Sequence, residues 1–160
     1  MGTEPMGTEP DTATATAGVR VLHAAQAFWR PSNQLGVQNA DLAKQLGVDW
    51  MGARLWRLAP GQWSTRHRHL SQPECYVLLE GTGRIRAGDE LLTLAPLSAV
   101  TVEPQVVRQV FNDTGSDQLW LVFGAPREEA NTLELTDELL ARLYPDGPKS
   151  PPPELARSVE

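Results

Sequence analysis

Cysteine is almost missing from this sequence. Cys75 stands alone, so no disulfide can form within the chain, which fits a reducing compartment. Long apolar runs are missing too: no stretch approaches the roughly 18 residues that a membrane-spanning helix needs. Positive charge is in deficit, with 14 Lys and Arg against 20 Asp and Glu, a formal net charge of -6 and a pI near 5.1. The basic residues are scattered, where phosphate backbones require a basic face, so nucleic acid is not an expected partner. No serine sits in a nucleophile-elbow setting, and no glycine-rich phosphate loop follows a strand. These absences leave the expectation of a soluble, cytoplasmic protein.

What is present suffices for one domain: 160 residues, 41% of them hydrophobic. The opening "MGTEPMGTEPDTATATAG" has low complexity and no apolar core of the signal-peptide kind. Residues 1–18 are therefore expected to be a disordered leader and 19–145 a single domain. The proline- and charge-rich residues 146–160 are expected to be an extended tail. "NADLAKQLG" predicts a short helix with Asn39 as N-cap and Gly47 as stop. "VRVLH" predicts a short strand at 19–23. Then come "ARLWRLA", "CYVLLE", "GRIRA", "ELLTLA", "AVTVE", "RQVFN" and "QLWLVFG", short β-type runs punctuated by Gly, Pro, Asn or Asp. Such spacing without intervening helices predicts an all-β sandwich or barrel, with its core at about 50–125. "TDELLARLYP" predicts a helix at about 136–144, capped by Thr136 and stopped by Pro145.

Chemistry concentrates in "PGQWSTRHRHLSQPECYVLLEG". Alternation along a strand points His67 and His69 to one face and Arg66 and Arg68 to the other. The turn "LSQP" reverses the chain, and an antiparallel neighbour is expected to return Glu74 beside the histidines. Two imidazoles and a carboxylate make a set suited to a divalent ion, with positions left open for water or substrate. Tyr76 shares the face of Glu74 and is a candidate to orient a ligand. Cys75, on the opposite face, is not expected to be a ligand. Trp56, Trp63 and Trp120 are expected in the core or at a subunit interface. "PREEAN" reads as a solvated loop.

The spacing Gly61, His67, His69, Glu74, Gly81 resembles the first motif of the cupin superfamily at every defining position. That resemblance implies a double-stranded β-helix, or jelly-roll barrel, with short flanking helices, a metal near one end of its interior, and often a homodimer. The second motif is eroded: Leu97, Glu103 and Gln105 stand where Gly, Pro and Gly are usual, and only Asn112 remains. Arg108 occupies the position of the usual fourth ligand, a histidine. A guanidinium offers no lone pair to a cation. The first expectation is a metal, Fe, Mn, Ni or Zn, on His67, His69 and Glu74, with Arg108 facing the same cavity and holding a small anionic ligand. The alternative is a metal-free binding or sensor module in which Arg108 pairs with Glu74 instead. A structural homo-oligomer with a vestigial cavity is a third possibility, and fold alone does not choose among them.

Overall fold

A computed structural model describes residues 13–128 and 132–156. The β-type runs expected between 53 and 124 are all strands: β5 (Gly52–Leu58), β6 (Glu74–Glu80), β7 (Gly83–Ala87), β8 (Glu90–Leu94), β9 (Ala99–Val102), β10 (Arg108–Phe111) and β11 (Gln118–Gly124). They are preceded by β1 (Thr14–Thr16), β2 (Val19–Val21), β3 (Arg30–Pro31), β4 (Gln38–Asp41) and the one-turn helix α1 (Leu42–Gln45), and followed by α2 (Asp137–Leu143) and α3 (Pro153–Ala156). Strands pair antiparallel in two main sheets, β3-β4-β5-β11-β6-β9 and β10-β7-β8, with β1 and β2 forming a separate hairpin. The arrangement is a jelly-roll barrel with short flanking helices.

Period-two alternation builds the interior. In "QLWLVFG", Gln118, Trp120 and Val122 are buried while their neighbours are half-buried. Trp120, Leu78 and Tyr76 from the large sheet pack with Ile85 and Val110 from the small one, so the two sheets face each other across one core. Burying a side chain of this size stabilises by roughly 1.5–3 kcal/mol, and Trp120, Leu78 and Ile85 have no exposed surface. Trp120 is the core tryptophan that its strand suggested. Trp56 is half-buried against that core.

Several expectations are corrected. Asn39 does not cap the first helix. It is a buried strand residue of β4, and Asp41 is the cap, accepting from the Lys44 amide at 2.9 Å. The helix is therefore one turn long, and pairing of β4 with β5 takes the residues before it. Within the expected leader, residues 1–12 lie outside the described residues, and Thr14–Thr16 pair with Val19–Val21. The segment after residue 146 is not an extended tail as far as residue 156. Pro152 is fully buried, the Gln109 amide donates to the Ser150 carbonyl at 2.8 Å, and Glu154 of α3 pairs with Arg86. An apolar proline and a carboxylate give this segment something to bind, despite its composition.

One packing contact sets the start of β6. Gly124 ends β11 opposite Glu74, and a Cβ there would lie 2.3 Å from the Pro73 carbonyl oxygen and 2.9 Å from the Gln72 side chain. The loop entering β6 thus rests directly on bare backbone. Replacing Gly124 by Ala forces that loop outward. The expected cost is about 2–3 kcal/mol of unfolding free energy, as overpacking usually brings, read by urea denaturation.

Candidate metal centre

His67 and His69 lie on a segment that runs antiparallel to β10 without forming a continuous strand. His67 and Arg108 exchange amide hydrogen bonds at 3.0 and 2.8 Å, and the His69 amide donates to the Pro104 carbonyl at 2.7 Å. The expected hairpin with the Glu74 strand does not form, because β6 pairs with β11 and β9. The loop 70–73 instead crosses from the small sheet to the large one. The histidines thus extend one sheet and Glu74 belongs to the other, and the three side chains converge across the barrel interior. Their potential ligand atoms all lie within 4.8 Å of one another, and among the described residues they form the one such group.

The hydrogen bonds around the imidazoles decide which nitrogens are available. His67 Nδ1 sits 3.0 Å from the Thr65 carbonyl oxygen, and His69 Nδ1 sits 2.9 Å from Glu128 Oε2. Both partners can only accept, so each Nδ1 carries a proton, and Nε2 is the nitrogen each ring offers a cation once it is neutral. Those two Nε2 atoms point toward Glu74, at 3.6 Å from Oε2 and 3.1 Å from Oε1 respectively. His69 Nε2 is buried and, despite that short separation, its geometry makes no hydrogen bond. A buried Nε2 beside a carboxylate, on a ring whose Nδ1 is engaged from behind, fits a cation that displaces the ring's second proton.

Glu74 is the hub. The Tyr76 hydroxyl donates to its Oε2 at 2.5 Å, and Arg108 Nε lies 3.5 Å from the same oxygen. Burial opposes ionisation of Glu74, but the two imidazoles outweigh it and hold its carboxyl well below the usual range. Burial likewise works against a charged His69, and Glu74 and Glu128 overcome it, raising its pKa. For Tyr76, burial first and the Glu74 charge second push the phenol well above its ordinary value.

Of the two expected ligand contacts, one is corrected. Tyr76 borders the cavity, but its hydroxyl is committed to Glu74, its neighbour two residues away on the same face. Arg108 does not face the cavity with its fork. It has no exposed surface, and its terminal nitrogens donate to the carbonyls of Val102, Glu103 and Pro104 at 3.3, 3.2 and 3.1 Å. The β9–β10 turn curls around the guanidinium and takes its donors. Asn112, the remnant of the second motif, is buried and donates to the Leu58 and Ser116 carbonyls.

Glu128 is the residue that sequence reasoning missed, having been assigned to a solvated loop. Its carboxylate accepts from the amides of Leu70, Ser71 and Gln72 and from the Ser71 hydroxyl, as well as meeting His69. It therefore clamps the crossing loop and orients a histidine together. No motif marks it, and a glutamate 59 positions from its histidine is brought there only by the barrel. The cluster opens on a cavity of about 380 Å³, walled partly by Leu143 of α2 and by Tyr144, which follows it.

Residues 54–124 match the family model described as "Cupin domain". Among solved structures, the chain is similar to a sugar phosphate isomerase from a cupin superfamily in Silicibacter pomeroyi, with 23% identity, 67% of this chain and 76% of that one covered, and a TM-score of 0.61. It is similar also to a predicted oxalate decarboxylase from Thermotoga maritima, with 18% identity, coverage of 67% and 99%, and a TM-score of 0.60. At these identities the likeness establishes the fold. A search of curated proteins finds no match.

The Glu128 clamp has a pH signature. Burial opposes its ionisation, but the loop amides, the Ser71 hydroxyl and His69 hold its carboxyl down at about 2, against an ordinary 4.5. A folded-state pKa below the unfolded one gives stability that is complete above about 4.5 and lost as pH falls toward about 2. Glu128→Gln is expected to destabilise the protein at neutral pH and to flatten the acid limb of its stability curve, measured by urea unfolding from pH 7 to pH 3.

Proposed function

Because the barrel of this chain is a cupin domain, we propose that it binds one divalent metal ion through His67, His69 and Glu74 and receives a small oxygen-rich ligand in the cavity they line. The observation that carries this reading is the convergence of His67, His69 and Glu74, whose ligand atoms lie within 4.8 Å of one another while each imidazole is held from behind through its Nδ1. Two imidazoles and one carboxylate leave coordination positions for ligand oxygens, and Fe, Mn, Ni and Zn all accept such a set. When bound, the ion supplies Lewis acidity to a ligand oxygen. The protein's own contribution is orientation. Thr65 and Glu128 hold the imidazoles, and Tyr76 and Arg108 steady the carboxylate from behind. Arg108 also offsets part of the charge on Glu74, which weakens its hold on a cation relative to an unpaired carboxylate.

A second reading rests on the 3.5 Å approach of Arg108 Nε to Glu74 Oε2. In it the site is metal-free and the ion pair stands in for the ion. The two readings part on metal content. Protein reconstituted with Mn, Fe, Ni or Zn is expected to retain about one ion per chain by elemental analysis, and His69→Ala to retain none. Glu128→Gln, which keeps all three ligands, is expected to weaken metal affinity by about 10- to 100-fold. Metal content near zero under every condition overturns the first reading. The second is then supported if Glu74→Ala costs about 3 kcal/mol or more by stranding Arg108.

A further inference from the structure

The cavity has a second pole, and the sheet register places it. Arg54 on β5 lies directly opposite Val122 on β11, which lies directly opposite Tyr76 on β6. Residues directly opposite in an antiparallel sheet share a face, and all three line the cavity. Two strand spacings separate Arg54 from Tyr76, about 10 Å of backbone, so Arg54 stands across the cavity from the metal cluster. Asp41, opposite Arg54 on β4, holds one terminal nitrogen at 3.1 Å while its other oxygen caps α1. Arg54 is thus oriented by a residue that is itself fixed. Its other donors have no partner among the described residues, and the side chain keeps about a third of its surface open.

The cavity wall also includes Tyr144, the residue after α2, 7% exposed, with its ring 6.1 Å from that of His67. Its hydroxyl has no hydrogen-bond partner among the described residues, and Tyr144 lines the same cavity as Arg54 and Glu74. The role that sequence gave to Arg108 is therefore vacant, since that guanidinium is bound to main-chain carbonyls, and Arg54 is placed to take it.

We propose that Arg54 receives the anionic end of a small polyhydroxylated ligand, a phosphorylated or carboxylated sugar-like compound, whose other oxygens lie at His67, His69 and Glu74, with Tyr144 contacting it from the cavity wall. A guanidinium with free donors matches a carboxylate or phosphate, and 380 Å³ suits a ligand of that size. The assignment of the oxygen-bearing end rests on the metal reading above, while the assignment of the anionic end to Arg54 does not.

The test holds a six-carbon skeleton constant and varies its end: glucose 6-phosphate, gluconate and glucose, titrated by calorimetry into full-length protein loaded with Mn²⁺. At least one charged compound is expected to bind about ten-fold or more tighter than glucose, and which of the two does so separates phosphate from carboxylate recognition. Arg54→Gln is expected to erase that preference while metal content stays at the wild-type level. Arg54→Lys, which keeps the charge and the contact with Asp41, is expected to retain part of it, guarding against a folding defect in the first variant. Tyr144→Phe is expected to weaken the charged compound several-fold. Equal binding of all three compounds, binding of none, or a preference that survives Arg54→Gln overturns the proposal. Wild-type protein that takes up no ion but keeps an Arg54-dependent preference defeats the metal reading and upholds Arg54.

Discussion

The Glu74 carboxylate is the point on which the interior of this barrel turns. It sits at the start of a strand in the large sheet and meets, within 3.6 Å, two imidazoles that belong to the small sheet's side, an arginine from β10 and a phenol from its own strand. A buried carboxylate is costly unless it is paired and hydrogen-bonded, and here Oε2 meets Tyr76, Arg108 and His67 while Oε1 meets His69. The same pairing brings the two sheets together at one end. The site and the closure of the barrel are thus one electrostatic arrangement.

Arg108 shows how the identity of a residue can mislead about its role. In the position where a fourth ligand is usual, it can give a cation nothing and could have given an anion much. Its donors go instead to the carbonyls of Val102, Glu103 and Pro104, two of which also accept main-chain amides, so the guanidinium ties the β9–β10 turn together. It is a structural cation whose remaining effect on the site is felt through Glu74. Arg54 is one of the basic residues that do line the cavity, set in place by the register of three neighbouring strands and by Asp41.

The loop from Leu70 to Pro73 does work that its composition conceals. It carries the chain from one sheet to the other, rests on the bare backbone of Gly124, and hangs its amides on Glu128. Because Glu128 also binds His69, the loop and the imidazole are held by one group. Anything that moves the loop moves both His69 and the start of β6, so packing errors there are transmitted to the site.

Much was legible in the sequence. The strands from Gly52 to Gly124 follow from short β-type runs between turn residues, and α2 from the Thr136 cap and its leucines, because these are local matters of propensity and periodicity. The grouping of His67, His69 and Glu74 was legible from their spacing, although the route was not: alternation suggested a hairpin, and the chain instead crosses between sheets. The capping of α1 by Asp41, the docking of residues 147–156, the clamp by Glu128, the burial of Arg108's fork and the exposure of Arg54's were decided by the tertiary structure alone. Each depends on groups distant in the chain meeting in three dimensions. Residue types and intervals determine which side chains are able to ligate, pair or pack, whereas sheet register and loop path determine which partner each one finds. That second choice is made by burial and hydrogen-bond satisfaction over the whole barrel, and no local stretch contains it.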